Sequence, residues 1–339
     1  MQAIPFRKQI SDRIEKLWNY AKYSSPMQKG GFYYYFKNDG MQNQSVLYRQ
    51  VGLNGSSEEV LNPNTMSKEG IAALGGMSFS KDGKYMAFSV AMSGSDWHEI
   101  SVMDMETKTI LKQKINWVKF SGMNWKGNDG FYYSCYDKPD ASSLLTSKNE
   151  FQKVYYHKLG TDQSQDKLVF EDKLHPQRYF FTGMTEDERF LMLNIAEGTS
   201  GGEIQYRDLN DASGKFKTLV AGFTTEPEVI DNDGDKLLIK TNDGAPNYKI
   251  VLIDPKKPGK ENWTTVVAEK PEVLQSVGTA GGFLFLTYLK DASSVVQQYS
   301  YQGKLVREIK LPGIGTASGF AGEKENEQLF YSFTSFVAP

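Results

Sequence analysis

The stretch GGFYYYFKNDG, residues 30–40, places two glycines directly before a strand of aromatic residues and ends that strand with a second turn. Glycine accepts the backbone of a tight hairpin turn, and Phe and Tyr favour extended strands. The same order of turn and short apolar strand recurs seven times along the chain. The turns end at Gly31, Gly83, Gly130, Glu188, Gly234, Gly282 and Glu327, and the strands after them read FYYYF, KYMAFSV, FYYSCY, RFLMLNI, DKLLIKT, FLFLTYL and QLFYSF.

These turns lie 45 to 58 residues apart. Such a spacing is typical of β-propellers, in which each repeat is a four-stranded blade that buries its faces only by stacking on its neighbours. The sequence therefore predicts an all-β, seven-bladed β-propeller at residues 20–339. Its blades are expected to start near residues 20, 76, 122, 178, 226, 273 and 315.

A short N-terminal helix is expected before the propeller, within residues 1–19. Residues 7–18 place their apolar side chains on one helical face and their charges on the other. A helix that lies on a membrane surface would carry more Lys and Arg residues opposite several large apolar side chains. The pattern indicates a helix that docks on a larger body.

The seventh blade is expected to be incomplete. An inner strand near residues 317–322 and a strand at residues 328–333 supply two strands where the other repeats supply four. Unpaired strand edges promote association between chains. We therefore expect the chain to be less stable, or more prone to associate, than a complete propeller, and to be part of something longer.

The third repeat is the longest because of residues 137–149, DKPDASSLLTSKN. This polar stretch predicts a surface loop at the rim of one propeller face. The loop either contacts a partner or has no task of its own.

Composition excludes several classes of function. The formal net charge of −2, with positive and negative residues mixed, lacks the broad positive field that nucleic acids require. The single cysteine, Cys135, allows neither an intrachain disulfide nor a cysteine-rich zinc cluster. No apolar run is long enough to cross a membrane, and residues 1–8 lack the apolar stretch of a secretory signal. The sequence predicts a soluble chain and leaves its compartment, cytoplasm or periplasm, open.

Catalytic and metal motifs are incomplete in this sequence. Residues 76–80, GMSFS, lack the second glycine of a nucleophile elbow, and His98, His157 and His175 lie in separate repeats. Residues 231–235, DNDGD, resemble a calcium loop, but Lys and Asn stand where that loop needs Gly and Glu, so they indicate a hairpin. We expect no catalytic residue, no metal and no cofactor on this chain.

Five segments of the sequence are distinctive: residues 18–50, NPNTMS at 62–67, SGSDW at 93–97, YYHKLGTDQSQDKLVFE at 155–171 and FYSFTSF at 330–336. Within them, strand packing does not demand SGSDW, GTDQS or FTSF. Together the five segments closely resemble prolyl oligopeptidases. The resemblance runs in the same order from the helix near residue 7 to the last residue. It implies the propeller of a serine peptidase that cleaves after proline, without the α/β-hydrolase domain that carries Ser, Asp and His.

The resemblance also implies a function and two partners. The propeller would cover the active site of a hydrolase domain, admit short peptides and keep folded proteins out. The fold alone leaves open a free-standing propeller scaffold that binds a protein or a peptide. A reading frame that continues past Pro339 into a Gly-x-Ser-x-Gly motif would favour the first hypothesis, and a stop codon there the second.

Three residues are expected to bind substrate because they match family positions that do so. A pocket Phe of the family corresponds to Tyr132, a Met to Tyr179 and a Cys to Thr199. A substrate-contacting Arg corresponds to Ala196, so this chain lacks that cation. Ordinary blade packing is the alternative role for Tyr132, and also for Tyr179 and Thr199.

Overall fold

The structure is a computed structural model that describes residues 4–68, 71–139 and 148–337. Antiparallel hairpins follow one another along these residues. The predicted surface loop at residues 137–149 falls mainly outside these ranges. The fold is the predicted all-β seven-bladed propeller with a short N-terminal helix. The division into a lead segment and one propeller domain stays a prediction.

Helix α1 spans Arg7–Trp18, as the sequence predicts. Blade one consists of β1 (Lys22–Tyr23), β2 (Met27–Lys29), β3 (Phe32–Asn38), β4 (Val46–Val51) and β5 (Ser57–Leu61). Strands β1 and β2 pair with the same edge of β3, so they form one interrupted inner strand. A 3-10 helix at Pro63–Thr65 follows, capped by the side chain of Asn62.

Blades two and three share one sheet, because Cys135 pairs with Val118 across their boundary. Blade two contains β6 (Ala72–Phe79), β7 (Tyr85–Met92), β8 (His98–Asp104) and β9 (Thr109–Val118). Blade three contains β10 (Asn124–Lys126), β11 (Gly130–Cys135), β12 (Lys153–Lys158), the 3-10 helix Gln163–Gln165 and β13 (Lys167–Glu171).

Blades four, five and six are separate four-stranded meanders. Blade four contains β14 (Tyr179–Met184), β15 (Phe190–Ala196), β16 (Glu203–Asp208) and β17 (Lys217–Val220). Blade five contains β18 (Glu228–Asp233), β19 (Lys236–Thr241), β20 (Lys249–Ile253), the 3-10 helix Lys260–Asn262 and β21 (Thr264–Val267). Blade six contains β22 (Val273–Ala280), β23 (Phe283–Lys290), β24 (Ser293–Ser300) and β25 (Leu305–Ile309).

The seventh blade is incomplete among the described residues, as predicted. Its strands β26 (Thr316–Ser318) and β27 (Ser332–Thr334) pair only with each other. The outer strand is shorter and begins later than the predicted 328–333, because residues 328–331 have no partner strand there. Side-chain packing replaces the missing backbone pairing, since Tyr331 stacks on Phe320 with ring centroids 4.8 Å apart.

Two details of the predicted turns and strands differ in the structure. The left-handed residue of the third turn is Gly127 (φ 54°), while Gly130 already begins β11. Position 130 requires glycine because the backbone of His157 lies very close to it: a Cβ there would be 2.0 Å from the His157 carbonyl oxygen. The inner strand of blade two begins at Ala72, earlier than the predicted 76, because Gly75 and Gly76 continue the strand through a β-bulge.

Apolar side chains between neighbouring blades form the core. Phe131 and Tyr133 of β11 pack with Ala87 and Ile100 of blade two, and all six residues of β11 are buried. A strand that is covered on both faces needs apolar residues at successive positions, which explains the continuous apolar runs in the sequence. This inter-blade packing holds the ring together.

Both ends of the described chain lie on one face of the propeller. Strand β1 starts opposite Asn38, the last residue of β3, and β27 ends opposite Thr316, the first residue of β26. We call this side, where the inner strands begin, the chain-end face. The opposite side, which holds the hairpin turns after the inner strands, is the turn face.

Candidate functional site

A pocket of about 410 Å³ opens on the chain-end face between blades four and five. We call it the blade-four pocket. It is lined by residues 194–196 and 198–204 of blade four, residues 226–228, and the side chains of Tyr179, Phe181, Lys240 and Tyr248. The pocket therefore forms where a blade-four hairpin loop meets the first strands of blade five.

The blade-four pocket brings together two of the three predicted substrate-binding residues. Tyr179 begins β14, and Thr199 lies in the exposed loop after β15, with Ala196 between them on the pocket wall. The Tyr179 hydroxyl donates a hydrogen bond to the Gly198 carbonyl at 2.5 Å. The ring of Tyr179 also contacts Phe181, with centroids 5.6 Å apart, so the loop and the strand hold it in place.

Tyr132 lies elsewhere, in the packing between blades three and four. It is 7% exposed, and its ring centroid lies 4.9 Å from that of Tyr156. Ser134, on the same side of β11, donates a hydrogen bond to the Phe180 carbonyl of blade four at 2.7 Å. Burial raises the pKa of the Tyr132 hydroxyl. These contacts favour a packing role, and its substrate role stays a prediction.

Charged side chains at the blade-five side of the pocket were missed by sequence reasoning. Lys240 donates to Glu228 at 3.1 Å and to the Gln275 carbonyl at 2.9 Å, and lies 4.8 Å from the centre of the Tyr248 ring. The Tyr248 hydroxyl donates to Glu226, and this bond raises the pKa of Tyr248 to about 12. No local motif marks these residues, because three separate segments supply them.

At the turn face, a bridge of polar contacts joins blade seven to blades four and five. The Lys324 amide donates to Glu186 at 2.8 Å, and the Lys324 ammonium pairs with Asp231. Asp231 also accepts a hydrogen bond from the Tyr301 hydroxyl of blade six at 3.0 Å. Burial raises the pKa of Glu186. The bridge therefore links the last blade to blades four and five at this face.

Blades seven and one meet through side chains. Ser25 and Ser332 share a hydrogen bond of 2.7 Å between their hydroxyls, and the Tyr33 hydroxyl donates to Gln328 at 3.0 Å. Within residues 4–68, 71–139 and 148–337, no strand pairs across this boundary. An ion pair between Lys29 of blade one and Glu323 of blade seven crosses the same boundary. Among the described residues, the ring is therefore closed here by side-chain packing, hydrogen bonds and this ion pair, without a shared strand.

The histidines have structural surroundings. His157 shares a 2.7 Å hydrogen bond with Asp166 inside blade three, and its other ring nitrogen has no hydrogen-bond partner among the described residues. His175 pairs with Asp172 at 2.8 Å in a loop, and His98 packs against Gly75. Among all the residues that the structure describes, no group of His, Cys, Asp and Glu side chains could hold a metal ion. No helix there is long and apolar enough to span a membrane.

The ring of seven blades places the protein in the class of β-propellers. The family model for the N-terminal β-propeller domain of prolyl oligopeptidase matches residues 1–339. The chain belongs to this family. The resemblance found in the sequence is thereby confirmed.

Relatives and solved structures agree on the family. The chain is 45% identical over 336 residues to a prolyl endopeptidase of Elizabethkingia miricola, covering 99% of this chain and 47% of that protein. A structure from a study of two prolyl endopeptidases matches with a TM-score of 0.92 at 30% identity, covering 100% of this chain and 50% of that one. Prolyl oligopeptidase B of Galerina marginata, bound to a 25mer macrocyclization substrate, matches with a TM-score of 0.89 at 26% identity, covering 97% and 49%. The chain thus spans about half the length of the relatives it matches.

Proposed function

We propose that this chain is the non-catalytic propeller of a prolyl oligopeptidase-like serine peptidase and gates the access of short peptides to a hydrolase domain. The proposal depends on how much of each protein the matches cover. The propeller family matches the whole chain, whereas relatives called prolyl endopeptidases are about twice as long. A relative bound to a 25mer substrate supports a peptide as the ligand.

The hydrolase domain would bind the chain-end face. Helix α1 has no buried residue, and its apolar side chains Ile10, Ile14, Leu17 and Trp18 are between 52% and 60% exposed. Such a stripe gains free energy when another surface covers it, at about 25 cal/mol per Å² of apolar area. Because α1 and both ends of the described chain share this face, one domain could cover the helix and the blade-four pocket together.

Selection by size would follow from the shape of the ring. The Lys324 bridge lies at the turn face, where it would narrow the passage through the ring, and a docked domain would cover the other face. A short, extended peptide could pass the remaining openings, whereas a folded protein is too wide. The boundary of blades seven and one, which lacks a shared strand among the described residues, is the part of the ring that could separate most easily.

The test compares substrates of equal chemistry and different size. The longer protein that includes this chain would be assayed with a short proline peptide and with the same sequence placed in a loop of a stably folded protein. We expect the short peptide to be cleaved and the folded protein to remain intact. We also expect Lys324→Ala to change the cleavage rate for peptides of intermediate length. Equal cleavage of both substrates would contradict gating. A reading frame that stops after Pro339 would favour the free-standing scaffold instead.

A further inference from the structure

The blade-four pocket carries more negative charge than its own cations balance. Its lining contains the carboxylates Glu203, Glu226 and Glu228 and a single cation, Lys240. Of these carboxylates, Glu228 forms the ion pair with Lys240. The pocket wall therefore keeps two formal negative charges, on Glu203 and Glu226.

Neither remaining carboxylate has a cationic partner among the described residues. Glu203 accepts a hydrogen bond from the Gln205 amide at 2.8 Å, and Glu226 accepts one from the Tyr248 hydroxyl. The nearby Arg178 is engaged elsewhere, since it pairs with Asp172 at 3.4 Å and Glu197 at 3.1 Å. The neutral hydrogen bonds orient the carboxylates and leave their charge uncompensated.

The walls beside these carboxylates are aromatic. Tyr179, Phe181 and Tyr248 all line the pocket. Glu226 is exposed and Glu203 is half-buried, so both carboxylates are accessible to a ligand. Aromatic faces attract cations, and carboxylates pair with them, so this combination suits an ammonium or guanidinium group. A volume of about 410 Å³ lies within the range of ordinary ligand pockets and holds one side chain with its neighbouring backbone.

We propose that the blade-four pocket binds a cationic group of the peptide, a Lys or Arg side chain or a free N-terminal ammonium. The inference rests on the proposed function, because it takes a peptide as the ligand. It adds a preference that shape alone does not supply: peptides with a positive charge close to proline bind more tightly than neutral or acidic ones. Glu203 and Glu226 would determine that preference.

The test measures peptide binding to the 339-residue chain by fluorescence anisotropy. Acetylated proline peptides would carry Lys, norleucine or Glu at each position before the proline in turn, and one further norleucine peptide would keep its free N-terminal amine. For at least one position we expect the Lys peptide to bind about fivefold more tightly than the norleucine peptide, and the Glu peptide more weakly than both. Tighter binding of the free-amine peptide than of its acetylated form would assign the ammonium source.

Charge-removing variants locate the effect. Glu203→Gln and Glu226→Gln should each bring the Lys-to-norleucine ratio towards one, whereas Glu106→Gln removes an exposed carboxylate on the turn face and should leave it unchanged. In the unaltered chain, the ratio should also fall from low to high salt, which tests the inference without any variant.

The outcomes separate the two proposals. Equal binding of the Lys and norleucine peptides at every position overturns the cationic preference and leaves the proposed function intact. A preference that Glu106→Gln reduces as much as Glu226→Gln overturns the assignment to this pocket. Absence of binding by any of the peptides contradicts peptide recognition by this chain, and the inference fails with it.

Discussion

Asp166 shows how much a single buried polar group matters inside a blade. It accepts a hydrogen bond from the Tyr133 hydroxyl at 2.7 Å and shares another with His157, and the side chains of Asp166 and His157 are 1% and 0% exposed. A buried acceptor that loses its donor keeps the cost of its removal from water. This network fastens the loop before β13 to the centre of the blade.

Tyr133→Phe should therefore destabilise the chain by about 1–3 kcal/mol, because Asp166 loses one donor and gains nothing in exchange. The free energy of unfolding would be measured by urea denaturation. Tyr35→Phe removes a hydroxyl from a half-buried ring stacked on Tyr48 and serves as the control. A variant Tyr133→Phe as stable as the control would show that the Asp166 network contributes nothing measurable.

Glu186 should make stability depend on pH. Burial raises its pKa in the folded state, so the folded chain holds this proton more tightly than the unfolded chain. Its contribution to stability is then fully present below the ordinary carboxyl pKa and is lost as pH rises through the raised value. As the pH rises from acidic to neutral, the unaltered chain should lose this contribution and Glu186→Gln should not. The stability of the variant relative to the unaltered chain should therefore increase with pH. Thermal unfolding of both proteins across this range checks the sign, and parallel curves would contradict it.

Among the secondary-structure elements, those that depend on local chemistry could be predicted from the sequence. Gly31, Gly83, Gly234 and Gly282 all have positive φ, so each marks a hairpin whatever surrounds it. The apolar pattern of α1 likewise predicts its bounds. The blade-four pocket could not be predicted in the same way, because its charges come from segments that meet only when blade four packs on blade five. Only the resemblance to a family indicated Tyr179 and Thr199.

The inner strand of blade two offers a matched pair of substitutions. A Cβ at Gly75 would lie 2.2 Å from Cε1 of His98, whereas a Cβ at Gly76 meets nothing closer than 3.9 Å. Gly75→Ala should therefore lower the free energy of unfolding by about 1–3 kcal/mol through overpacking. Gly76→Ala should change it far less. Chemical denaturation of the two variants tests the prediction, and equal effects would show that the His98 contact does not limit this position.

For the whole molecule, the boundary between blades seven and one sets how firmly the ring is closed. The Ser25 and Ser332 hydroxyls lie 2.7 Å apart, so a cysteine pair at these positions could join the first and last blades. Burial raises the pKa of the natural Cys135 thiol to about 12, which keeps it out of disulfide exchange. The double variant thus isolates the closure of the ring.

Oxidised Ser25→Cys/Ser332→Cys should be more stable than its reduced form by about 2–5 kcal/mol, because the bridge closes a very long loop in the unfolded chain. Urea denaturation with and without reductant measures the difference. Each single variant controls for loss of the serine hydrogen bond. Unchanged stability after verified disulfide formation would mean that the two blades are not held together as the structure shows.

The most direct measurement of the central claim is a peptidase assay on the purified 339-residue chain with a Gly-Pro chromogenic peptide. A ring that excludes large substrates, while another domain cuts the peptide bond, should give no turnover above that of buffer. Sustained turnover that co-purifies with the folded chain would contradict this account, because cleavage would then belong to the propeller itself.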